Sequence, residues 1–356
     1  MFERRKSKQV AVGSVKIGGG APISIQSMTN VDTHDYDAVS AQIAALVAAG
    51  CDIVRITVPD IEAVKTIYKL KESGTNIPIV ADIHFNYKLA LESAAAGIDK
   101  IRINPGNIGS DEHVRDVANA CRQRNIPIRI GVNSGSLEKS ILQKYGSPTA
   151  DALCESALYH ASLLEKFDFD DIVISVKSSD VLSMVETNRL LARRCPYPLH
   201  LGVTEAGRAG SGTVKSAIGI GALLTEGIGD TIRVSLTDDP VKEIEAAREI
   251  LRALDLDNGG FYNIVSCPTC GRTKIDLIKI AKEVEDKLKR LPAPQRKITV
   301  AVMGCVVNGP GEAAHADIGV AGGAGEAVLF KKDKIIKKVS EERITDELLT
   351  EILKLT

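Results

Sequence analysis

The chain has 356 residues, 45 Lys and Arg against 46 Asp and Glu for a formal net charge of −1, and only 4% aromatic residues with no Trp. Near-neutral, interspersed charge offers no field for nucleic acid, the scarcity of rings leaves no base- or sugar-stacking platform, and no apolar run approaches the ~18 residues of a membrane span. The basic start, Met1-Phe2-Glu3-Arg4-Arg5-Lys6, has no apolar stretch behind it and does not read as a secretory signal, while seven cysteines without a disulfide-like framework point to a reducing cytoplasm.

After a short N-terminal arm, apolar β-branched runs recur every 20 to 45 residues. They are Pro22–Met28, Asp52–Val58, Pro78–His84, Lys100–Asn104, Pro127–Asn133, Asp171–Lys177, Pro198–Thr204 and Thr231–Leu236. Helical segments alternate with them: Ala38–Ala49, Ile61–Ser73 and Lys88–Ala96 each stop at a glycine, Gly50, Gly74 and Gly97, the expected residue just past a helix. Eight strands alternating with helices predict an α/β fold, a (β/α)8 TIM barrel of about 250 residues. An open doubly wound sheet is the rival, but it wants its glycine-rich turn after the first strand, and Gly18-Gly19-Gly20 precedes it. Cys51, Cys121, Cys154 and Cys195 fall in or beside apolar periodic segments and read as small buried hydrophobes.

The composition breaks at Asp255-Leu256-Asp257-Asn258-Gly259-Gly260. This divides the chain into a barrel domain, 1–255, and a small α+β domain, 262–356. The second domain is expected to hold a helix from Lys274 to Arg290, a strand from Lys297 to Met303, a short strand near Ile318, a hairpin turning at Lys332-Asp333 and a closing helix from Thr345 to Leu355.

Four barrel strands share the pattern apolar, Arg, apolar, small or polar, which gives Arg55, Arg102, Arg129 and Arg233, and a fifth ends on Lys177. An Arg among β-branched neighbours is costly to bury unless it is paired, and alternation turns each one opposite to its apolar neighbours. One such Arg reads as an ordinary salt bridge. Four and a lysine, all near the strand ends where barrel active sites lie, read as an anion clamp whose forked guanidiniums suit a substrate with several negative charges, such as a diphosphate. Asp82 and His84 flank Ile83 on the third strand, His84 reading as an acid, a donor to substrate, a metal ligand or a satisfied strand-end histidine; Asn104, Asn133 and Ser235 are suited to orienting a ligand, and the helix starts after the seventh and eighth strands add N–H donors. Glu205, after the seventh strand, is the candidate for acid–base work. His34, His113 and His160 read as surface or loop residues, and His200 as a residue at the bottom of its strand.

In the second domain, Cys267-Pro268-Thr269-Cys270 has C-x-x-C spacing, and Cys305 opens a second Gly/Pro loop that carries Glu312. Three thiolates from two tight loops make most of a metal cage, and soft thiolates select zinc, Cu(I) or an iron–sulfur cluster. A zinc site wants a fourth ligand, for which His315 is nearest in sequence. A metal-free redox pair is a further possibility.

The barrel followed by Ser266-Cys267-Pro268-Thr269-Cys270-Gly271-Arg272 and then Met303-Gly304-Cys305-Val306-Val307-Asn308-Gly309-Pro310-Gly311-Glu312-Ala313 resembles, over the whole chain, the bacterial 4-hydroxy-3-methylbut-2-enyl diphosphate synthase family of the methylerythritol phosphate route to isoprenoids. The resemblance implies reductive opening and dehydration of 2-C-methyl-D-erythritol 2,4-cyclodiphosphate, with two electrons from a ferredoxin or flavodoxin. It implies a [4Fe-4S] cluster held by Cys267, Cys270, Cys305 and Glu312. It also implies a mouth built by Arg55, Asp82, His84, Arg102, Arg129, Asn133, Lys177, Glu205, Arg233 and Ser235, the set already drawn from the strand ends. Glu312, a weaker ligand than a thiolate, is then the displaceable one, and Glu205 supplies a proton to the departing hydroxyl.

The last barrel strand runs to the mouth and the helix after it, about Val241 to Leu254, runs back, so the linker is expected to leave from the opposite face. A short linker does not carry a domain around a barrel. A head-to-tail homodimer, each C-terminal domain serving its partner's barrel, resolves this. The competing function is a non-redox barrel enzyme on a phosphorylated or pterin-like substrate with an appended structural zinc domain. A pure cluster carrier or binding module leaves the cation clamp without a purpose. Lys331, Lys332 and Lys334 read as a solvated hairpin tip, with contact to an acidic ferredoxin as their other reading.

Overall fold

The structure, a computed structural model, describes residues 3–306, 313, 315–332 and 334–356, and it divides into two units, Met1–Asp257 and Asn258–Thr356.

The first unit opens with an antiparallel hairpin, β1 (Val10–Val12) and β2 (Val15–Ile17). The eight expected strands follow as β3 (Ser24–Met28), β4 (Ile53–Thr57), β5 (Ile79–Asp82), β6 (Lys100–Ile103), β7 (Ile128–Asn133), β8 (Ile172–Lys177), β9 (His200–Leu201) and β10 (Thr231–Ile232). They pair in parallel in the order β8-β7-β6-β5-β4-β3-β10-β9. A parallel bridge from Ile174 to Leu199, with Ile174 N–H donating to the Pro198 carbonyl at 2.9 Å, brings β8 to β9 and closes the ring. Near-continuous Val/Ile runs form these strands because a barrel wall is buried on both faces. β9 and β10 are shorter than the runs predicted. Over Gly202 the carbonyl of Arg233 and the Lys177 side chain close in so tightly that a Cβ would stand 2.5 and 3.1 Å from them, and the chains leave the ladder there.

Helices α1 (Tyr36–Ala48), α2 (Ile61–Glu72), α3 (Tyr87–Ala95), α4 (Asp111–Gln123), α5 (Lys139–Tyr145), α6 (Ala150–Glu165), α7 (Val181–Arg194), α8 (Ser211–Thr225) and α9 (Pro240–Ala253) surround the strands. Their starts are capped by the expected residue types, Asp35, Asp60, Asn86, Thr149, Asp180 and Asp239. The predicted stops hold: Gly50, Gly74 and Gly97 take φ of 89°, 78° and 79°. Cys51, Cys121 and Cys154 are buried and Cys195 half-buried, all four in the apolar layer between strands and helices. Burial pushes the Cys51 and Cys121 thiols up to about 12, which leaves them unreactive at neutral pH.

The arm is more structured than its sequence suggested. Val12 and Ile17 of the hairpin pack on Ile53 and Val80, at the N-terminal ends of β4 and β5, and plug the bottom of the barrel. Arg5 N–H to Gly227 O at 2.9 Å and Lys8 N–H to Pro196 O at 2.7 Å tie the segment before it to the same end. The chain also leaves here: Arg248 of α9 donates to Gly50 O at 2.9 Å, and Arg248 and Arg252 hold Asp257 at 3.2 and 3.0 Å.

In the second unit β11 (Tyr262–Ser266), β12 (Ile298–Met303), β13 (Ile318–Gly322), β14 (Glu326–Lys331) and β15 (Lys334–Ser340) form one sheet in that order. The first three strands are parallel and the last two antiparallel. Helices α10 (Leu277–Leu288) and α11 (Ile344–Ile352) cover one face through Ile280, Val284, Leu348 and Ile352, which pack on Val300, Val302, Val320 and Leu329. The predicted helix from Lys274 begins three residues later. The residues before it are taken by the cysteine loops, with Thr273 N–H donating to Cys270 O and Lys274 N–H to Gly304 O, both at 3.0 Å, and Asp276 then caps the helix.

Candidate active site

Inward-facing residues near the C-terminal ends of the barrel strands are polar, and they line one cavity of about 180 Å³. It is bounded by Arg55, Asp82, His84, Arg102, Arg129, Asn133, Lys177, Arg233 and Ser235, together with Gly131, Val132, Ser175 and Thr204. The alternation argued from sequence therefore brings the four arginines and the lysine to one place.

Asp82 is the carboxylate in the lining. It accepts from Arg102 Nη1 at 3.2 Å and stands 3.8 Å from Arg55 Nε. Burial works to raise its pKa, but the guanidiniums of Arg55, Arg102 and Arg129 outweigh it and the carboxyl ends below its ordinary value. Arg55 also packs its Nε and Nη2 on Met28 Sδ at 3.1 and 2.8 Å, and burial, with Arg233 and Arg102 nearby, pushes it down to about 10. Arg129 is 1% exposed, and among the described residues its Nε and Nη2 have no hydrogen-bond partner. Burial first, then Arg55 and Arg102, hold its pKa well below normal. Lys177 is shifted down by burial and by Arg233, Arg129 and Arg55. So much buried positive charge with so few counter-charges is expensive in the free protein, and an anion with several oxygens relieves it.

Other residues aim this set. Arg102 lies across Gly131, donating to its carbonyl at 2.6 Å, where a Cβ would meet Arg102 Nε at 2.3 Å. Asn104 Oδ1, from a residue expected to orient a ligand, accepts from Gly131 N–H at 2.9 Å and fixes the same turn. Asn133 Oδ1 accepts from Gly135 N–H at 3.0 Å. Glu243, in the first turn of α9, was not legible as a site residue, since a carboxylate on a helix reads as a solvated face. It is 4% exposed, holds Arg233 at 3.4 Å, and accepts from Ser27 Oγ at 2.8 Å. His160 corrects the surface reading: it is fully buried, takes Gly106 N–H on Nδ1 at 3.0 Å and approaches Glu138 at 2.8 Å through Nε2, off the line of a well-directed hydrogen bond. It thereby ties the loop after β6 to the loop after β7. His113 is half-buried and stacked on Tyr87, with ring centroids 3.7 Å apart, while His34 is exposed between Asp32 and Asp60, as a surface residue.

Beneath the cavity the barrel stays polar. Lys100 and His200 are fully buried, as is Gln26 at 1% exposure, and among the described residues Lys100 Nζ, both Gln26 amide atoms and His200 Nε2 have no hydrogen-bond partner. Burial, with Arg129 and Arg55 for Lys100 and Lys177 and Arg129 for His200, holds both well below their normal pKa values.

Glu205 stands at the rim, exposed, one residue beyond the lining Thr204. Its φ of +52° places it in the left-handed region that non-glycine residues rarely occupy. The loop it begins is pinned where Thr237 N–H donates to Gly207 O at 2.9 Å. Of the two helix starts expected to offer N–H donors, that of α8 has no side-chain cap, whereas Asp239 caps α9.

Cys267 and Cys305 follow the C-terminal ends of neighbouring parallel strands, with Ser266 paired to Val302, so their loops leave the same end of the sheet. Gly304 N–H donates to Cys267 Sγ at 3.3 Å, a contact that suits a thiolate ligand, and Cys270 is exposed. Among the described residues no group of three His, Cys, Asp or Glu is placed to hold a metal ion by itself, and Glu312 lies outside them. His315 is exposed. The donor set, soft sulfur on two loops from one sheet end with an amide aimed at one sulfur, fits an iron–sulfur cluster in kind.

Fold and sites together define a two-unit protein, a (β/α)8 barrel whose mouth is lined by arginines and a lysine, joined to a cysteine-bearing α+β unit. The chain belongs to the GcpE family: the family model described as the GcpE TIM-barrel domain matches residues 7–248, and that of the GcpE protein C-terminal domain matches residues 263–354. A relative from Fusobacterium nucleatum, named 4-hydroxy-3-methylbut-2-en-1-yl diphosphate synthase (flavodoxin), is 58% identical over 344 residues, covering 97% of this chain and 96% of its own. One of the same name from Clostridium perfringens is 58% identical over 348 residues, 98% of each. The solved structure of a type I 3-dehydroquinate dehydratase from Clostridium difficile aligns with a TM-score of 0.51 at 17% identity, over 70% of this chain and 98% of that one, and shares the barrel fold alone.

Proposed function

We infer that the protein carries out the reaction in its relatives' name. It takes 2-C-methyl-D-erythritol 2,4-cyclodiphosphate through reductive ring opening and loss of water to 4-hydroxy-3-methylbut-2-enyl diphosphate, a step toward isoprenoid precursors, with electrons from flavodoxin. The observation that carries this reading is the mouth: four arginines and a lysine converge on one cavity in which Asp82 is the one carboxylate among the described lining residues. Full-length identity of 58% to enzymes so named supports it.

Two electrons and protons enter overall; a ring carbon–oxygen bond breaks, its oxygen stays on the diphosphate as an anion, and a hydroxyl leaves as water. Arg55, Arg102, Arg129, Lys177 and Arg233 hold the diphosphate oxygens and neutralise the charge added when the ring opens. Asp82 keeps Arg55 and Arg102 aimed, and His84, Asn133 and Ser235 orient the carbon skeleton. Glu205 gives a proton to the departing hydroxyl from the rim. Cys267, Cys270, Cys305 and Glu312 would hold a [4Fe-4S] cluster, which supplies low-potential electrons one at a time. The relatives' names favour flavodoxin over ferredoxin, and nothing in the comparisons supports the non-redox zinc reading. Seven free thiols suit a reducing cytoplasm, and among the described residues no helix is long and apolar enough to cross a membrane.

We also propose a head-to-tail homodimer in which each chain's cysteine unit serves the partner's mouth. Its support lies within the barrel unit, where Arg248 and Arg252 hold the exit at Asp257 beside Gly50, at the end of the barrel opposite the mouth.

The test is anaerobic purification followed by iron and acid-labile sulfide analysis and turnover of the cyclodiphosphate with reduced flavodoxin. About four iron and four sulfide per chain are expected, with product formed. Zinc without sulfide, and no turnover, would overturn the reading.

A further inference from the structure

An electron donor has to come close to the cysteine loops, and two groups of exposed lysines on the described surface of the second unit are candidates for meeting it. The hairpin tip holds Lys331, Lys332 and Lys334. β14 runs antiparallel to β13, which is parallel to β11 and β12, so this tip lies at the sheet end opposite Cys267 and Cys305. Six residues of β14 separate the two ends, roughly 20 Å at ~3.3 Å per residue. Electron transfer falls steeply with distance, and the tip is poorly placed for it.

The other group is Arg272, Lys274, Lys279 and Lys282, in the turn that leaves Cys270 and on the first turns of α10. All four are exposed, and among the described residues none forms an ion pair. Two carboxylates beside them, Asp276 and Glu341, are engaged by backbone N–H groups, at 3.2 Å from Lys279 and 2.7 Å from Asp276. Beyond the capping Asp276, the first turn of α10, a place that favours acids by about 0.3–1 kcal/mol, has none and carries Lys279. Ile278, one position off the buried stripe Leu277, Ile280, Val284 and Leu288, stands 70% exposed among these cations. A basic rim with an exposed apolar residue, tied by its own backbone to Cys270 and Gly304, is built to meet an acidic protein with an apolar contact point.

We propose that the turn from Arg272 to Lys282 is the docking surface for flavodoxin, an acidic carrier with an exposed flavin edge. Its carboxylates meet Arg272, Lys274, Lys279 and Lys282, its apolar edge meets Ile278, and the reduced flavin is thereby set beside the Cys270 loop, where it is oxidised as the cysteine-bearing unit is reduced. The assignment rests on the function inferred above.

The test titrates purified flavodoxin against turnover of the cyclodiphosphate in the wild type, in Lys274→Glu/Lys279→Glu/Lys282→Glu, in Ile278→Glu and in Lys331→Glu/Lys334→Glu. Each is run in parallel with reduced methyl viologen, a small donor that needs no docking surface. In the triple variant and in Ile278→Glu the flavodoxin concentration for half-maximal rate should rise at least tenfold, with a flatter salt dependence in the triple variant, while the viologen-driven rate and iron content stay at the wild-type level. The hairpin variant should match the wild type with both donors. An unchanged flavodoxin dependence in Ile278→Glu or in an iron-replete triple variant, or a tenfold rise in the hairpin variant, would overturn the assignment. If the wild type turns over with neither donor, the functional reading fails and the docking site falls with it; viologen turnover with unaltered flavodoxin dependence in the variants defeats the docking site alone.

Discussion

Asp82 decides how the mouth holds together when no anion is bound. Burial raises its carboxyl, Arg55, Arg102 and Arg129 lower it further than burial raises it, and the folded value lies below 3.8. The ionised form therefore adds stability above the unfolded value, and that contribution fades as pH falls through the folded one. Asp82→Asn should cost roughly 3–5 kcal/mol at pH 7, because it strands buried guanidiniums, and the gap to wild type should narrow below about pH 4; denaturant melts at pH 7 and pH 3.5 check this. Gly131 sets the reach of Arg102 by the absence of a side chain. Gly131→Ala should destabilise by about 1–3 kcal/mol and weaken cyclodiphosphate binding by about tenfold, measured by calorimetry, whereas a binding constant equal to the wild type's would show that Arg102 does not touch the ligand. The arginines were readable because each interrupts a β-branched run at a position of fixed parity. Glu243, Ser175 and His160 were not, because their roles come from contacts across 10 to 216 residues of chain or from a cavity wall that no local pattern marks.

At the scale of elements, the eight barrel strands were legible from their Val/Ile runs, and the first helices from their caps and glycine stops. The hairpin β1–β2 was missed: three-residue strands around Gly13 carry too little periodicity, and what fixes them is burial of Val12 and Ile17 against Ile53 and Val80. That packing closes the barrel floor. Ile17→Ala should lower stability by about 2–5 kcal/mol in denaturant melts, without changing the half-saturating substrate concentration, since the hairpin lies at the end away from the mouth. A change in substrate affinity alone would contradict the plug. The late start of α10 has a similar origin, because hydrogen bonds to Cys270 and Gly304 outcompete helix propensity from Thr273 to Ile275.

At the scale of the molecule, the exit of the chain beside the barrel floor makes a single subunit incomplete under the head-to-tail arrangement. Heterodimers of a Cys267→Ala subunit with an Arg129→Ala subunit should recover part of the activity that each homodimer lacks, since one intact mouth then meets one intact cysteine unit; verified heterodimers without activity would refute the sharing of sites. The concentration of charge has a different consequence. The chain sums to −1, yet its mouth gathers four arginines and a lysine around one lining carboxylate. At physiological ionic strength a field of that kind fades within about 8 Å. Seen from a distance the molecule is almost uncharged, and only an anion small enough to enter the barrel feels what is inside. Such a mouth is expected to act as a size filter for polyanions: nucleic acids and acidic polymers should pass it by, while compact species such as inorganic pyrophosphate should compete with the cyclodiphosphate on equal electrostatic terms.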